Sequence, residues 1–201
     1  MKYSLSVLMT AAALACTVTV SHAQADLNRL GPYVGLGASA GLSDFTDGAR
    51  HFGDSAGFNA LAGYRWHEYF ALEGLYEYMD DFGRRQRLSP VTTVHTDMRT
   101  HNFSLMGKAI LPLFGAVQPY IKGGVGFLNT DVDQHLRGHL GERVKLRGGS
   151  GTEAAGRIDG GIDLVATPHL ALEFDAGYVM PTGDSFPLNY ISLSLGAQYR
   201  F

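Results

Sequence analysis

The segment that most constrains this chain is its last, Tyr190 to Phe201, which alternates without a break. Ile191, Leu193, Leu195, Ala197, Tyr199 and Phe201 share one parity; Ser192, Ser194, Gly196, Gln198 and Arg200 share the other. Strand side chains point to alternate faces, so this is a strand with one apolar face and one polar face. A soluble sandwich or lipocalin-like barrel turns the apolar face inward. A transmembrane barrel turns it toward lipid and fills its lumen with the polar face. Alternation alone fits either.

The amino terminus separates the two. Lys2, the apolar stretch Leu5 to Val20 and the small-residue site Ser21-His22-Ala23 have the layout of a secretory signal peptide cleaved after Ala23. The expected division is a signal peptide over 1–23 and one domain over 24–201. Cys16, the only cysteine, lies within the apolar stretch rather than at its end. That position disfavours a lipoprotein processing site, and cleavage leaves a mature chain with neither thiol nor disulfide. Lys and Arg total 16 against 19 Asp and Glu, so no basic excess points to nucleic acid. No later apolar run approaches the roughly 20 residues of a spanning helix. If the exported chain enters a membrane, it enters as strands.

Seven more segments repeat the alternation: Pro32–Leu42, Phe58–Trp66, Phe70–Tyr78, Asn102–Leu111, Tyr120–Leu128, Gly156–Ala166 and Leu170–Tyr178. In one common register every charge in the eight strands falls on the polar face. Connections alternate too. Short links fall at 66–69, 112–119 and 167–169, and longer ones run over roughly 43–55, 79–101, 129–153 and 179–189. Short periplasmic turns, long external loops and an even strand count are the pattern of an outer-membrane barrel. Tyr33, Tyr64, Trp66, Tyr69, Phe70, Tyr120, Tyr199 and Phe201 are expected to form an aromatic girdle at the short-turn end. The fold class expected is therefore an all-β, eight-stranded, antiparallel up-and-down transmembrane barrel.

Two residue sets invite a functional reading. The inward parity carries Glu73, Glu77, Asp159, Asp163, Glu173 and Asp175 with Arg65, Lys108, Lys122, Arg157 and Arg200. An eight-stranded interior is just wide enough to be filled by side chains, where charges must pair. These residues are expected to form a structural ion-pair network that plugs the lumen; a narrow ion path is the alternative. The long loops carry the second set: Arg84, Arg85, Arg87 and Arg99, then Arg137, Arg143, Lys145 and Arg147. Such clusters suit lipopolysaccharide phosphates, sulfated glycans or acidic host proteins.

Other motifs carry less. Gly35-Leu36-Gly37 and Gly123-Gly124-Val125-Gly126 lie inside strand patterns with no following helix, so they are not phosphate loops. His135 and His139 have metal-compatible spacing only on a helix, which Gly138 and Gly141 disfavour. His169 with Ser192 or Ser194 is the only hint of a lipid-modifying enzyme, and no nucleophile has an adjacent base. No catalytic residue, metal or cofactor is assigned.

Tyr33-Val34-Gly35-Leu36-Gly37, Gly63-Tyr64-Arg65, Leu72-Glu73, Pro119-Tyr120 and the closing Tyr199-Arg200-Phe201 resemble the small outer-membrane β-barrel family. That family includes the OmpA transmembrane domain, OmpX/Ail-type proteins and opacity-type surface proteins. The resemblance covers residues 31–201 and implies a monomer in the Gram-negative outer membrane with a structural or adhesive role. Its implied partners are outer-membrane lipid and lipopolysaccharide, the barrel-assembly machinery and a host-surface ligand. Tyr199 and Phe201 resemble the terminal signal that the assembly machinery reads. The chain stops at Phe201, so the peptidoglycan-binding domain of full OmpA-type proteins is not expected.

Overall fold

The computed structural model describes residues 27–43, 55–80, 84–89, 92–112, 115–137, 143–183 and 189–201. At 43, 84–89, 92–97, 133–137 and 143–148 the description is of the backbone. The expected signal peptide lies outside the described residues. The strands are β1 (Gly31–Ser43), β2 (Ser55–His67), β3 (Phe70–Asp80), β4 (Arg84–Ser89), β5 (Thr92–Ile110), β6 (Val117–Arg137), β7 (Arg143–Thr167), β8 (Leu170–Pro181) and β9 (Tyr190–Arg200). Every pairing is antiparallel. β9 closes on β1, β3 pairs with β5, and β4 continues the line of β3 along β5. Nine segments thus make eight staves of a closed barrel, which leaves no unpaired edge within the membrane.

The alternation read from the sequence decides which face is which. Leu36 and Val125 are 71% exposed on the outside, while Lys122 is 3% exposed within. This is a soluble protein turned inside out. Tight turns at Glu68–Tyr69 and Pro168–His169 join β2 to β3 and β7 to β8. Between β5 and β6, Gly115 takes φ 63°, a left-handed conformation that favours glycine.

Tyr64, Trp66, Tyr69, Phe70, Tyr199 and Phe201 are exposed at the short-turn end, as a girdle requires. Tyr33 and Tyr120 are not part of it: they are 5% and 3% exposed, inside the lumen. Their parity explains the difference, since Tyr33 shares a face with Gly35 and Tyr120 with Lys122.

The loops expected over 79–101 and 129–153 are largely strand. β5 pairs with β6 without interruption from Thr93↔Arg137 to Ile110↔Tyr120, and β6 pairs with β7 up to Arg137↔Arg143. With β4 these extensions form a four-stranded sheet that rises beyond the ends of β3 and β8. Above the lipid both faces are wet, so apolar and polar residues need not alternate and the strand signal fades. Thr92, Thr93, Val94, Thr96 and Val144 still favour extended backbone.

Candidate functional site

All eleven charged residues assigned to the lumen are buried there. Lys122 is the hub. Its Nζ lies 3.3 Å from Glu73, 3.0 Å from Glu173 and 3.0 Å from Asp175, and it donates hydrogen bonds to Glu73 and Glu173. Lys108 sits beside it, 3.1 Å from both Glu73 and Asp163, and its Nζ stands 3.9 Å above the Tyr120 ring. Arg200 closes the periplasmic side of Asp163 at 3.2 Å. Toward the outer mouth, Arg157 holds Asp159 at 2.9 Å and Glu77 at 3.0 Å. Glu77 also accepts hydrogen bonds from Tyr190 and Ser192. Among the described residues no ion pair joins Arg65 to a carboxylate; its guanidinium donates to Gln118 and to the carbonyls of His67 and Glu68.

Two cross-strand rows build this network, each with the order tyrosine, glycine, acid. Tyr33 on β1 faces Gly63 on β2, which faces Glu73 on β3. Tyr120 on β6 faces Gly161 on β7, which faces Asp175 on β8. In each row the ring lies across the bare glycine and the hydroxyl reaches the acid two strands away, at 2.7 Å. Two strand spacings are nearly 10 Å, so the reach requires the ring to lie flat on the sheet wall. The sequence contains both rows, but the register that aligns them joins each tyrosine to positions 30 to 55 residues further along the chain.

Among the described residues, buried or hydrogen-bonded groups flank the ion pairs at both ends of the lumen. At the outer end Met79, Met98, Leu128, Ala155, Val179 and Tyr190 form a buried apolar cluster above the ion pairs. Met98 lies in a segment expected to be loop, and its role was not legible there. At the periplasmic end the Leu27 carbonyl accepts from Gln118 and Arg200, and Arg29 donates to the Phe201 carbonyl. A cavity of about 10 Å³ lined by Arg29, Tyr33, Arg65, Lys108, Asp163 and Arg200 remains there, room for about one water.

The histidine and serines weighed as enzyme residues are separated. Ser192 donates to Glu77 within the barrel, whereas the His169 ring nitrogens meet Arg29 and the Arg200 carbonyl at the periplasmic rim. His139 lies outside the described residues.

The register of the protruding sheet sorts the eight basic residues expected on loops. Arg85, His95, His135 and Lys145 stand in one cross-strand row, and Arg87, Thr93, Arg137 and Arg143 in the next. Rows two residues apart share a face, so five Arg or Lys and two His occupy seven of eight adjoining positions. Arg84 and Arg147 fall on the other face, in the row Arg84, Thr96, Gln134, Arg147. Below the basic rows Asp97 faces Asp133. Lower still, Arg99 pairs with Asp80 at 3.2 Å, both well exposed. Arg99→Ala should therefore change barrel stability by no more than about 1 kcal/mol, measured by urea unfolding.

Three solved barrels share this architecture. The Yersinia pestis attachment invasion locus protein Ail is 16% identical, with 86% of this chain and 100% of that one covered at a TM-score of 0.58. Neisserial surface protein A is 17% identical, with coverage of 85% and 97% and a TM-score of 0.60. OprG of Pseudomonas aeruginosa is 13% identical, with coverage of 86% and 97% and a TM-score of 0.50. At these identities the likeness is one of fold. No curated protein matches the sequence. The family model for the outer membrane protein β-barrel domain matches residues 10–201, and the chain belongs to that family.

Proposed function

We propose that this protein is a non-enzymatic outer-membrane envelope protein whose closed barrel carries a basic sheet above the membrane. The sheet binds glycans that bear phosphate or sulfate, on the cell's own lipopolysaccharide or on a host surface. Residues 1–23 direct export, and Tyr199 and Phe201 present the terminal signal to the assembly machinery. The barrel works as a monomer.

The observation that carries this reading is the pair of cross-strand rows with five Arg or Lys and two His on one face. Four strands at about 4.8 Å and rows about 7 Å apart make a patch the size of a short oligosaccharide. Arrayed cations of that spacing suit several anionic groups at once, and arginine binds such groups with two parallel hydrogen bonds. Ail, a neighbour in fold, has been crystallised with the heparin analogue sucrose octasulfate. The non-enzymatic reading draws on the separation of His169 from Ser192.

Charge reversal tests it. Arg85→Glu, Arg137→Glu and Lys145→Glu together should weaken binding to immobilised heparin or to lipopolysaccharide vesicles by at least about 100-fold. Gel mobility of the folded barrel should not change. Loss on heparin alone assigns a host glycan, and loss on lipopolysaccharide alone assigns the cell's own envelope. Binding by neither probe, or unchanged binding by the variant, overturns the proposal.

A further inference from the structure

The basic rows have a definite place relative to the membrane, and that place selects their partner. On β5, buried Met98, Thr100 and Asn102 mark the inward parity, while Arg99, His101 and Phe103 mark the outward one. β5 pairs with β6 without interruption up to Thr93↔Arg137, so this parity carries above the membrane. It assigns His95 and Thr93, with His135 and Arg137 opposite them, to the outward face. The irregularity after Gln134 brings Lys145 and Arg143 into the same two rows. The basic rows therefore belong to the face that meets lipid lower down, not to the face above the lumen.

Beneath them the same face has two further tiers. The lowest is an apolar groove of about 520 Å³, lined by Ala62, Gly74, Tyr76, Phe103, Leu105 and Val125. Gly74 is its floor. A Cβ there would meet only the Ala62 carbonyl, at 3.8 Å, so packing within the barrel does not require this glycine. A trough in the lipid-facing wall is a seat for a hydrocarbon chain.

Directly above the groove, the row Tyr78, His101, Asn129 and Thr152 crosses β3, β5, β6 and β7. Asn129 donates to Thr152 at 3.0 Å, and the Tyr76 hydroxyl lies 2.9 Å from His101 Nδ1. The Tyr78 and His101 rings stand 4.9 Å apart. Amide, hydroxyl and imidazole groups beside aromatic rings suit the hydroxyls and apolar faces of sugars. Asp131, Asp97 and Asp133 follow on this face and disfavour a bare phosphate at their height. The basic rows lie beyond them and take phosphates directly. At the rise and tilt of barrel strands, His95 stands about 20 Å above Phe103.

Hydrocarbon, then sugar, then phosphate is the layout of a glycolipid with phosphates on its outer sugars. We infer that this face binds lipopolysaccharide of the cell's own outer leaflet. An acyl chain lies along Gly74, membrane-proximal sugars meet His101, Asn129 and Thr152, and core phosphates meet the basic rows. The partner named here presupposes the binding role proposed above for those rows and selects one of its two sources. A soluble sulfated glycan uses the basic rows alone. An amphiphile anchored in the same leaflet engages all three tiers, each of which holds the others in register.

Titration of the purified full-length barrel with lipopolysaccharide, in detergent with magnesium and read by native mass spectrometry, tests this beside heparin binding. Gly74→Leu fills the groove from β3, and Val125→Trp fills it from β6. Each is expected to raise the half-saturating lipopolysaccharide concentration by about tenfold, the scale of apolar packing contacts in a membrane, and to leave heparin binding unchanged. Folding of each variant is checked by the gel shift, and if one does not fold the other decides. Lipopolysaccharide binding unchanged in the folded variants overturns the inference, as does a wild type that binds heparin but not lipopolysaccharide. Either result leaves the basic rows as the binding face for a soluble glycan. Equal losses on both probes also overturn it, because the groove would then act only through the fold. A wild type that binds neither probe removes the proposed binding role itself.

Discussion

Replacing Lys122 by methionine is expected to cost about 3–5 kcal/mol of barrel stability, the usual effect of stranding buried charges by removing their partner. The size of the effect follows from the number of carboxylates that lose their counter-ion. Glu73, Glu173 and Asp175 all lie within 3.3 Å of the Lys122 ammonium. Lys108 would still serve Glu73 and Asp163, so collapse of the network should be partial. The check is the urea midpoint of the gel-mobility shift for wild type and variant. A deficit below about 1 kcal/mol would mean that the hub is not bearing the charges around it.

Gly161→Ala is expected to be nearly as damaging, although it adds one methyl group. A Cβ at Gly161 would overlap the Tyr120 ring and the Phe174 carbonyl. The backbone cannot yield easily, because Gly161 is paired on both sides, to Tyr120 and to Asp175. Tyr120 must then leave the sheet wall and give up its hydrogen bonds to Glu173 and Asp175. Overpacking of about 1–3 kcal/mol and a lost charge-assisted hydrogen bond of about 1.5–3 kcal/mol make roughly 3 kcal/mol or more. Both act through one contact, so Gly161→Ala combined with Tyr120→Phe should cost less than the sum of the single changes. Gly63→Ala should behave alike through Tyr33 and Glu73. Additive effects of the first pair would show that ring and glycine do not depend on each other.

The barrel itself was legible in the sequence because lipid imposes a strict rule within the membrane. A residue there faces hydrocarbon or a crowded polar lumen, and Ile191 or Lys122 cannot exchange places. The rule lapses at the rims. Tyr33 and Tyr120 sit at girdle height, and height alone assigns them to the girdle, while their parity turns them inward to the acids. Above the membrane the rule has no force, so the upper parts of β5, β6 and β7 read as loops although their backbones pair. Individual ion pairs were not legible at all. Lys108 meets Asp163 and Arg157 meets Glu77 only because barrel closure and stagger bring them together. The basic face has the same origin: Arg85, His95, His135 and Lys145 are scattered in the chain and meet through register.

We propose a division in which the interior is structural and the protruding sheet does the binding. It is tested most directly by planar-bilayer conductance of the purified full-length barrel, its insertion verified by the heat-dependent gel shift. The ion-pair network and the apolar cluster around Met79 and Leu128 are buried in the described lumen, and the Leu27–Arg29 segment bonds to its periplasmic rim. The expected result is a barrel that inserts and shows no steady current step at either polarity. A stable small-conductance step, altered by Lys122→Met, would contradict the claim and make the charged lumen the working part of the protein.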